Sequence, residues 1–156
     1  MINVSIIGGS GYSGKELIRL LLEHPHVEIK SIFAKSSAGK KISEVYPIYK
    51  GRLDITIDVF SIEKLDGIDL VFAALPHGES MEVLPEIAKT GKKVIDLGGD
   101  FRFKDTDIYE KWYGKEHTAK EAVEEFTYGL PELYKNDVKN AKCIANPGCY
   151  PTSAIL

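Results

Sequence analysis

Gly9-Ser10-Gly11-Tyr12-Ser13-Gly14 reads G-x-G-x-x-G and directly follows Ile2-Asn3-Val4-Ser5-Ile6-Ile7, a run rich in β-branched residues. A strand that stops on glycines and restarts as a helix opens a βαβ unit, and the new helix offers its unpaired N–H groups to an anion. Gly9 is expected to permit the tight turn and Gly11 to let a pyrophosphate approach the backbone. Gly14 should let the helix pack close to the strand. Ser10, Tyr12 and Ser13 fill the other positions of this phosphate cradle. A glycine turn without a ligand is the competing reading, and the place of the motif in a first βα unit weighs against it.

The rest of the chain repeats the alternation. Apolar periodicity predicts a helix over Lys15–Glu23 and strands over Glu28–Ala34, Asp54–Phe60 and Leu70–Ala74. A helix follows over Ser80–Thr90, then strands over 93–97 and 142–145, with the start of a helix at Cys149–Leu156. Lys35–Lys41 reads as a loop, and Asp100–Val123 as a loop with short helical turns. Alternating strands and helices with short links imply an α/β fold: a Rossmann-type, doubly wound, mostly parallel sheet. Residues 1–148 are expected to form the nucleotide-binding domain. Residues 149–156 are expected to be the first turns of a truncated second domain, because the sequence stops within an apolar helical pattern.

Composition narrows the class. The 156 residues are 44% hydrophobic and 28% charged, values of an ordinary globular domain rather than a disordered chain. A chain of this length buries roughly two thirds of its unfolded surface and needs no metal or disulfide to hold a core. The net charge of −3 argues against a general nucleic-acid binder. Two cysteines are too few for a disulfide framework, which favours a reducing compartment. No apolar run is long enough for a membrane span, and no leader pattern is visible, so a cytoplasmic location is expected. No metal site is expected.

The ribose position discriminates between cofactors. NAD-specific folds place a carboxylate at the end of the second strand, about 20 residues past the glycines. Here that place is Phe33-Ala34-Lys35, with Ser36, Ser37, Lys40 and Lys41 following. Hydroxyls and cations suit a 2′-phosphate, so Lys35, Ser36 and Ser37 favour NADP(H) over NAD. A solvated basic loop is the plainer alternative.

Asn146-Pro147-Gly148-Cys149-Tyr150-Pro151-Thr152 is the second chemical signal. Pro147 and Gly148 set a turn, and Pro151 fits a first helical turn. Cys149 is therefore expected at a helix start, a setting that favours thiolate. A nucleophilic cysteine beside a dinucleotide can hold an acyl group as a thioester during hydride transfer. Cys143, in mid-strand, reads as an ordinary buried cysteine.

Five segments resemble one family in order along the chain. They are Gly8–Leu17, Ala74–Gly78, Asp96–Arg102, Tyr128–Glu132 and Asn146–Thr152. The chain resembles the N-terminal, NADP-binding half of the N-acetyl-γ-glutamyl-phosphate reductases, in the wider aspartate-semialdehyde dehydrogenase group. The resemblance implies NADPH-dependent reduction of an acyl phosphate to an aldehyde through a Cys149 thioester, in arginine biosynthesis. It implies that Leu75, Pro76 and His77 contact the ribose–nicotinamide end. Arg102 is implied as a phosphate ligand, with an ion pair as the competing role. Asn146 is implied as a substrate or turn-orienting residue, with a purely turn-forming role as the alternative. The family's acid/base histidine lies in its second half, and none of His24, His26, His77 and His117 fills that place by motif. The 156-residue fragment is thus expected to bind cofactor without turnover, the full-length protein to form a homo-oligomer, and the substrate to be a small acyl phosphate. Two alternatives stay open: a reductase of an aminoadipyl or aspartyl phosphate, and a non-catalytic dinucleotide-binding module.

Overall fold

Strand β1 (Ile2–Ile7) pairs in parallel with β2 (Val27–Phe33) on one side and β3 (Leu70–Ala73) on the other. Flanked in this way, Val4, Ser5, Ile6 and Ile7 are all buried, which explains the near-continuous apolar run. Ser5 is the exception in polarity, and Ser31 on β2 donates to its hydroxyl at 2.9 Å. The computed structural model describes all of residues 1–156. They divide into two compact units, Met1–Ala74 and Leu75–Leu156.

In the first unit, α1 (Tyr12–Leu22) starts three residues before the apolar periodicity shows. Its first turn contains Tyr12, Ser13 and Gly14, which carry no apolar signal. Gly14, Ile18 and Leu21 form its buried stripe. Ile18 and Leu21 join Val4, Ile6, Ile29, Ile32, Ile42, Tyr49 and Ile57 in one core. A short helix α2 (Ile42–Val45) and a 3₁₀ turn over Pro47–Tyr49 bring Ile42 and Tyr49 into it.

The strand expected over Asp54–Phe60 does not form as a regular strand. Thr56 bridges Lys41 antiparallel, while Asp58 bridges Phe33 in parallel. Ile57 donates its N–H to Lys40 O at 2.8 Å, and Asp58 donates to Ile32 O at 3.0 Å. The segment changes partners at Ile57, so its backbone is satisfied without a continuous ladder. Alternation correctly marks Ile57 as core, whereas Val59 is exposed.

The second unit holds α3 (Ser80–Lys89), β4 (Lys93–Asp96), α4 (Thr106–Tyr113), β5 (Phe126–Tyr128), α5 (Pro131–Asn140), β6 (Cys143–Ala145) and α6 (Cys149–Ile155). β6 pairs in parallel with both β4 and β5. The region expected as a loop with short helical turns thus contains an eight-residue helix, α4. Asp105 caps it by accepting the Asp107 N–H at 2.9 Å, and Gly114 ends it with φ +64°. β5 and α5 have no counterpart in the sequence reading. α5 buries no residue, and its sequence is mostly polar. Phe101 stacks on Phe126 at 4.0 Å and meets the His117 ring edge-on, which fixes the buried side of this unit.

Asp96, at the end of β4, is fully buried. Its Oδ1 accepts from the Ser80 hydroxyl at 2.8 Å and the Gly98 N–H at 2.9 Å, while Oδ2 is buried without a partner. Burial raises its pKa from 3.8 to about 6, against the lowering effect of those two bonds. Unfolded, the carboxyl ionises near 3.8; folded, it holds its proton to about 6. Its contribution to stability is therefore complete below the unfolded value and is lost as pH rises through about 6. Relative to Asp96→Asn, the wild-type chain should lose on the order of 3 kcal/mol between acidic and neutral pH. Urea unfolding at both ends of that window checks this, and a stability difference that does not move with pH refutes it.

Candidate functional site

Each unit carries one constellation. In the first, the tight turn after β1 falls on Gly8 (φ +83°), not on Gly9 as expected. Gly9 is needed for space instead, since a Cβ there would lie 2.4 Å from Ile32 Cγ2. At Gly14 a Cβ would lie 2.5 Å from Gly8 O and 2.6 Å from Gly9 Cα. The helix is packed against the loop itself rather than against the strand. Gly11 is different, because its nearest neighbour would be Gly8 O at an ordinary 3.5 Å. Packing within the chain does not demand glycine there.

The start of α1 suits an anion. Gly11 at its N-cap supplies no side-chain cap, and the first turn holds no acidic residue. The N–H groups of Tyr12, Ser13 and Gly14 are those a helix leaves unpaired. Ser10 is half-buried, while Tyr12 and Ser13 are exposed. The Gly8 and Gly9 amides both donate to Phe33 O, at 2.8 and 3.3 Å. This ties the loop to the end of β2, two residues before Lys35. Lys35 and Ser36 are exposed there and Ser37 is half-buried.

Two residues of this cradle escape the sequence reading. The Tyr46 hydroxyl donates to Ser10 O at 2.6 Å, and the Tyr49 hydroxyl donates to Lys15 O. Lys15 Nζ sits 5.2 Å from the Tyr46 ring centroid. The tyrosines pin both ends of the glycine-rich turn, and only their exposure to view in three dimensions reveals it. Nothing in Tyr46-Pro47-Ile48-Tyr49 signals a partner 34 or 36 residues away.

In the second unit, Cys149 is the first residue of α6, with Gly148 as N-cap and Pro151 in the first turn. It is exposed, and it lines a cavity of about 430 Å³ with Arg102, Phe103, Tyr113, Tyr128 and Tyr150. Cys143 is buried, and burial pushes its thiol up to about 11. Arg102 Nε donates to Asn146 O at 2.8 Å and Nη2 to Leu97 O at 3.0 Å. The guanidinium thereby joins the residues that follow β4 and β6. A Cβ on Gly148 would lie 3.1 Å from Nη1, so the arginine also lies against the cysteine turn. The Asn146 amide donates to Pro147 O at 3.1 Å within its own turn.

Leu75, Pro76 and His77 precede Gly78, whose φ is +87°. Pro76 and His77 are exposed, and the His77 ring lies 4.6 Å from that of Tyr113. His117 is buried, with Nε2 donating to Asp100 O at 2.8 Å. None of the four histidines lines the Cys149 cavity.

Comparison with known proteins identifies the family. Residues 3–141 match the family described as semialdehyde dehydrogenase, NAD binding domain. An N-acetyl-gamma-glutamyl-phosphate reductase from Halothermothrix orenii is 46% identical over all of this chain and 45% of its own length. One from Pelotomaculum thermopropionicum is 49% identical over 99% of this chain and 45% of its own. The chain thus spans a little under half the length of these curated relatives. Among solved structures, aspartate semialdehyde dehydrogenase II from Vibrio cholerae superposes with a TM-score of 0.67 at 21% identity, over 99% of this chain and 44% of that one. The Candida albicans aspartate semialdehyde dehydrogenase, solved with NADP, gives 0.63 at 19% identity, over 98% of this chain and 44% of that one. The fold is Rossmann-type α/β, and the chain belongs to the semialdehyde dehydrogenase NAD-binding domain family.

Proposed function

We propose that this chain is the nucleotide-binding and cysteine-bearing part of an NADP-dependent acyl-phosphate reductase, with N-acetyl-L-glutamyl 5-phosphate as substrate and N-acetyl-L-glutamate 5-semialdehyde as product. The observation that carries the reading is the contrast between its cysteines. Cys149 is exposed in a cavity shared with Arg102, while Cys143 is buried in β6.

In this reading Cys149 Sγ attacks the acyl carbon of the substrate. The bond from that carbon to the phosphate oxygen breaks, phosphate leaves, and a thioester remains on the cysteine. Arg102 neutralises the phosphate with the guanidinium N–H groups that Asn146 O and Leu97 O do not take up. NADPH, when bound, would supply the hydride that takes the thioester to the aldehyde level. The carbon–sulfur bond then breaks and Cys149 is regenerated as thiolate. Asn146 holds the turn that carries Cys149.

The glycine cradle would receive the pyrophosphate, through the amides that begin α1 and the space left open at Gly11. Ser10, Tyr12 and Ser13 would border it. Lys35, Ser36 and Ser37 would take the 2′-phosphate, and Leu75, Pro76 and His77 would meet the nicotinamide end. Residues up to 148 act as the nucleotide domain, and Cys149–Leu156 begins the catalytic part. No histidine lines the cysteine cavity, so the chain by itself is expected to bind cofactor without turnover. That no helix is long and apolar enough to cross a membrane fits an enzyme acting on a small polar substrate.

Two measurements test this reading. Iodoacetamide at neutral pH should label Cys149 on the order of 100 times faster than Cys143, and faster than a free peptide thiol. Labelling of Cys149 no faster than the peptide leaves only a dinucleotide-binding module. Fluorescence titration should give tighter binding of NADPH than of NADH, and Lys35→Glu should weaken NADPH about tenfold while sparing NADH. Equal affinities for the two cofactors in the wild-type chain defeat the 2′-phosphate assignment.

A further inference from the structure

Asp100 is fully buried, and its role in the family motif Asp96–Arg102 is not explained by Arg102 alone. Burying a carboxylate costs several kcal/mol unless its oxygens are well supplied with donors. Here the donors come from two separate places. The Gly78 N–H reaches both carboxylate oxygens, at 2.9 and 2.8 Å. The Tyr109 hydroxyl donates to Oδ1 at 2.9 Å. The main-chain oxygen of Asp100 accepts the His117 Nε2–H at 2.8 Å, which anchors the residue itself.

These contacts close a circuit. Tyr109 stacks on Tyr113, with ring centroids 4.8 Å apart and planes at 23°. Tyr113 lies 4.6 Å from the His77 ring, and His77 precedes Gly78, which returns to Asp100. Lys115 Nζ lies across Gly78, so no side chain can replace the glycine without displacing it. One limb of the circuit is the loop of Leu75, Pro76 and His77. The other is Tyr113, a wall of the Cys149 cavity.

We propose that Asp100 is a positioning residue that fixes the 75–78 loop against the Tyr113 wall, so that the nicotinamide end of the cofactor and the acyl group on Cys149 are held in register. The proposal rests on the cofactor and cysteine roles given above. Its physical basis is that hydride transfer demands close and well-aligned reactants, and a displacement of about 1 Å costs much of the rate. A loop and a wall held by one carboxylate move together. Asparagine is a poor replacement. Its oxygen can take the Oδ1 place and accept from both Gly78 and Tyr109, but its NH₂ then stands where Oδ2 meets the Gly78 N–H at 2.8 Å, donor against donor.

The test uses the 156-residue chain and NADPH, read by nicotinamide fluorescence. Asp100→Asn should raise the Kd about tenfold and return the emission of bound NADPH toward that of the free cofactor. Exchange of the Gly78 amide with solvent should quicken by at least about tenfold relative to the Ala73 amide. Val94→Ala, which opens a cavity in β4 without touching the circuit, should lower the melting temperature yet leave the Kd within about twofold. If Asp100→Asn does not fold, Tyr109→Phe carries the test, with an expected loss of about threefold in affinity. An Asp100→Asn or Tyr109→Phe chain that binds NADPH like wild type overturns the proposal alone. A wild-type chain that gives no NADPH signal overturns the cofactor reading, and the proposal with it.

Discussion

The first unit depends on how closely α1 approaches the turn that precedes it. Gly14 leaves no room for a single carbon between the helix and Gly8 O. That contact aims the helix start, whose unpaired N–H groups suit an anion. Two tyrosine hydroxyls, from Tyr46 and Tyr49, hold the same turn from the other side. The Gly8 and Gly9 amides hold it to β2 through Phe33 O. The cradle is thus fixed by backbone groups and glycines, with side chains supplying support rather than contact surface.

The second unit solves a different problem. It presents one cysteine to solvent and keeps the second buried. Cys143 lies within a three-residue strand paired on both sides, where burial suppresses ionisation of its thiol. Cys149 lies four residues beyond that strand, on a helix that buries none of its residues. Arg102 bridges Leu97 O and Asn146 O and so ties the segment after β4 to the turn that follows β6. The phenol of Tyr109 keeps its proton well above the usual range, because it is buried and donates to Asp100. A buried donor of that kind rigidifies its surroundings without adding a charge.

How much of this was legible varies with the kind of signal. The first strand, the glycine turn and the cysteine turn are local patterns, and each appears at its expected place. The assignment of the tight turn to Gly9 fails by one residue, because G-x-G-x-x-G does not say that Gly8 also precedes it in a left-handed conformation. Asp54–Phe60 fails for another reason. Alternation reports which side chains are buried, and Ile57 is, but it does not report whether the backbone keeps one partner. α5 is mostly polar and buries no residue, and α4 lies in the segment read as a loop with short helical turns. The Asp105 cap and the Gly114 terminator were there to be read. Asp100 and the tyrosine contacts could not be inferred, since their partners lie far away in sequence.

One small irregularity in β1 has a wider meaning. Val4 faces Ile29, yet Ser5 faces Ser31, so Lys30 is an extra residue in the parallel ladder. Side chains in a strand alternate, and a slip of one residue exchanges its two faces. Without the extra residue, Ser5 would stand opposite Lys30 and lose the hydroxyl that now satisfies it. Ile32 and Phe33, both buried, would be shifted along with it. The paired serines therefore act as a molecular vernier. They penalise every misaligned zippering of the two strands, and the carbonyl of Phe33 arrives under the glycine turn at the correct step.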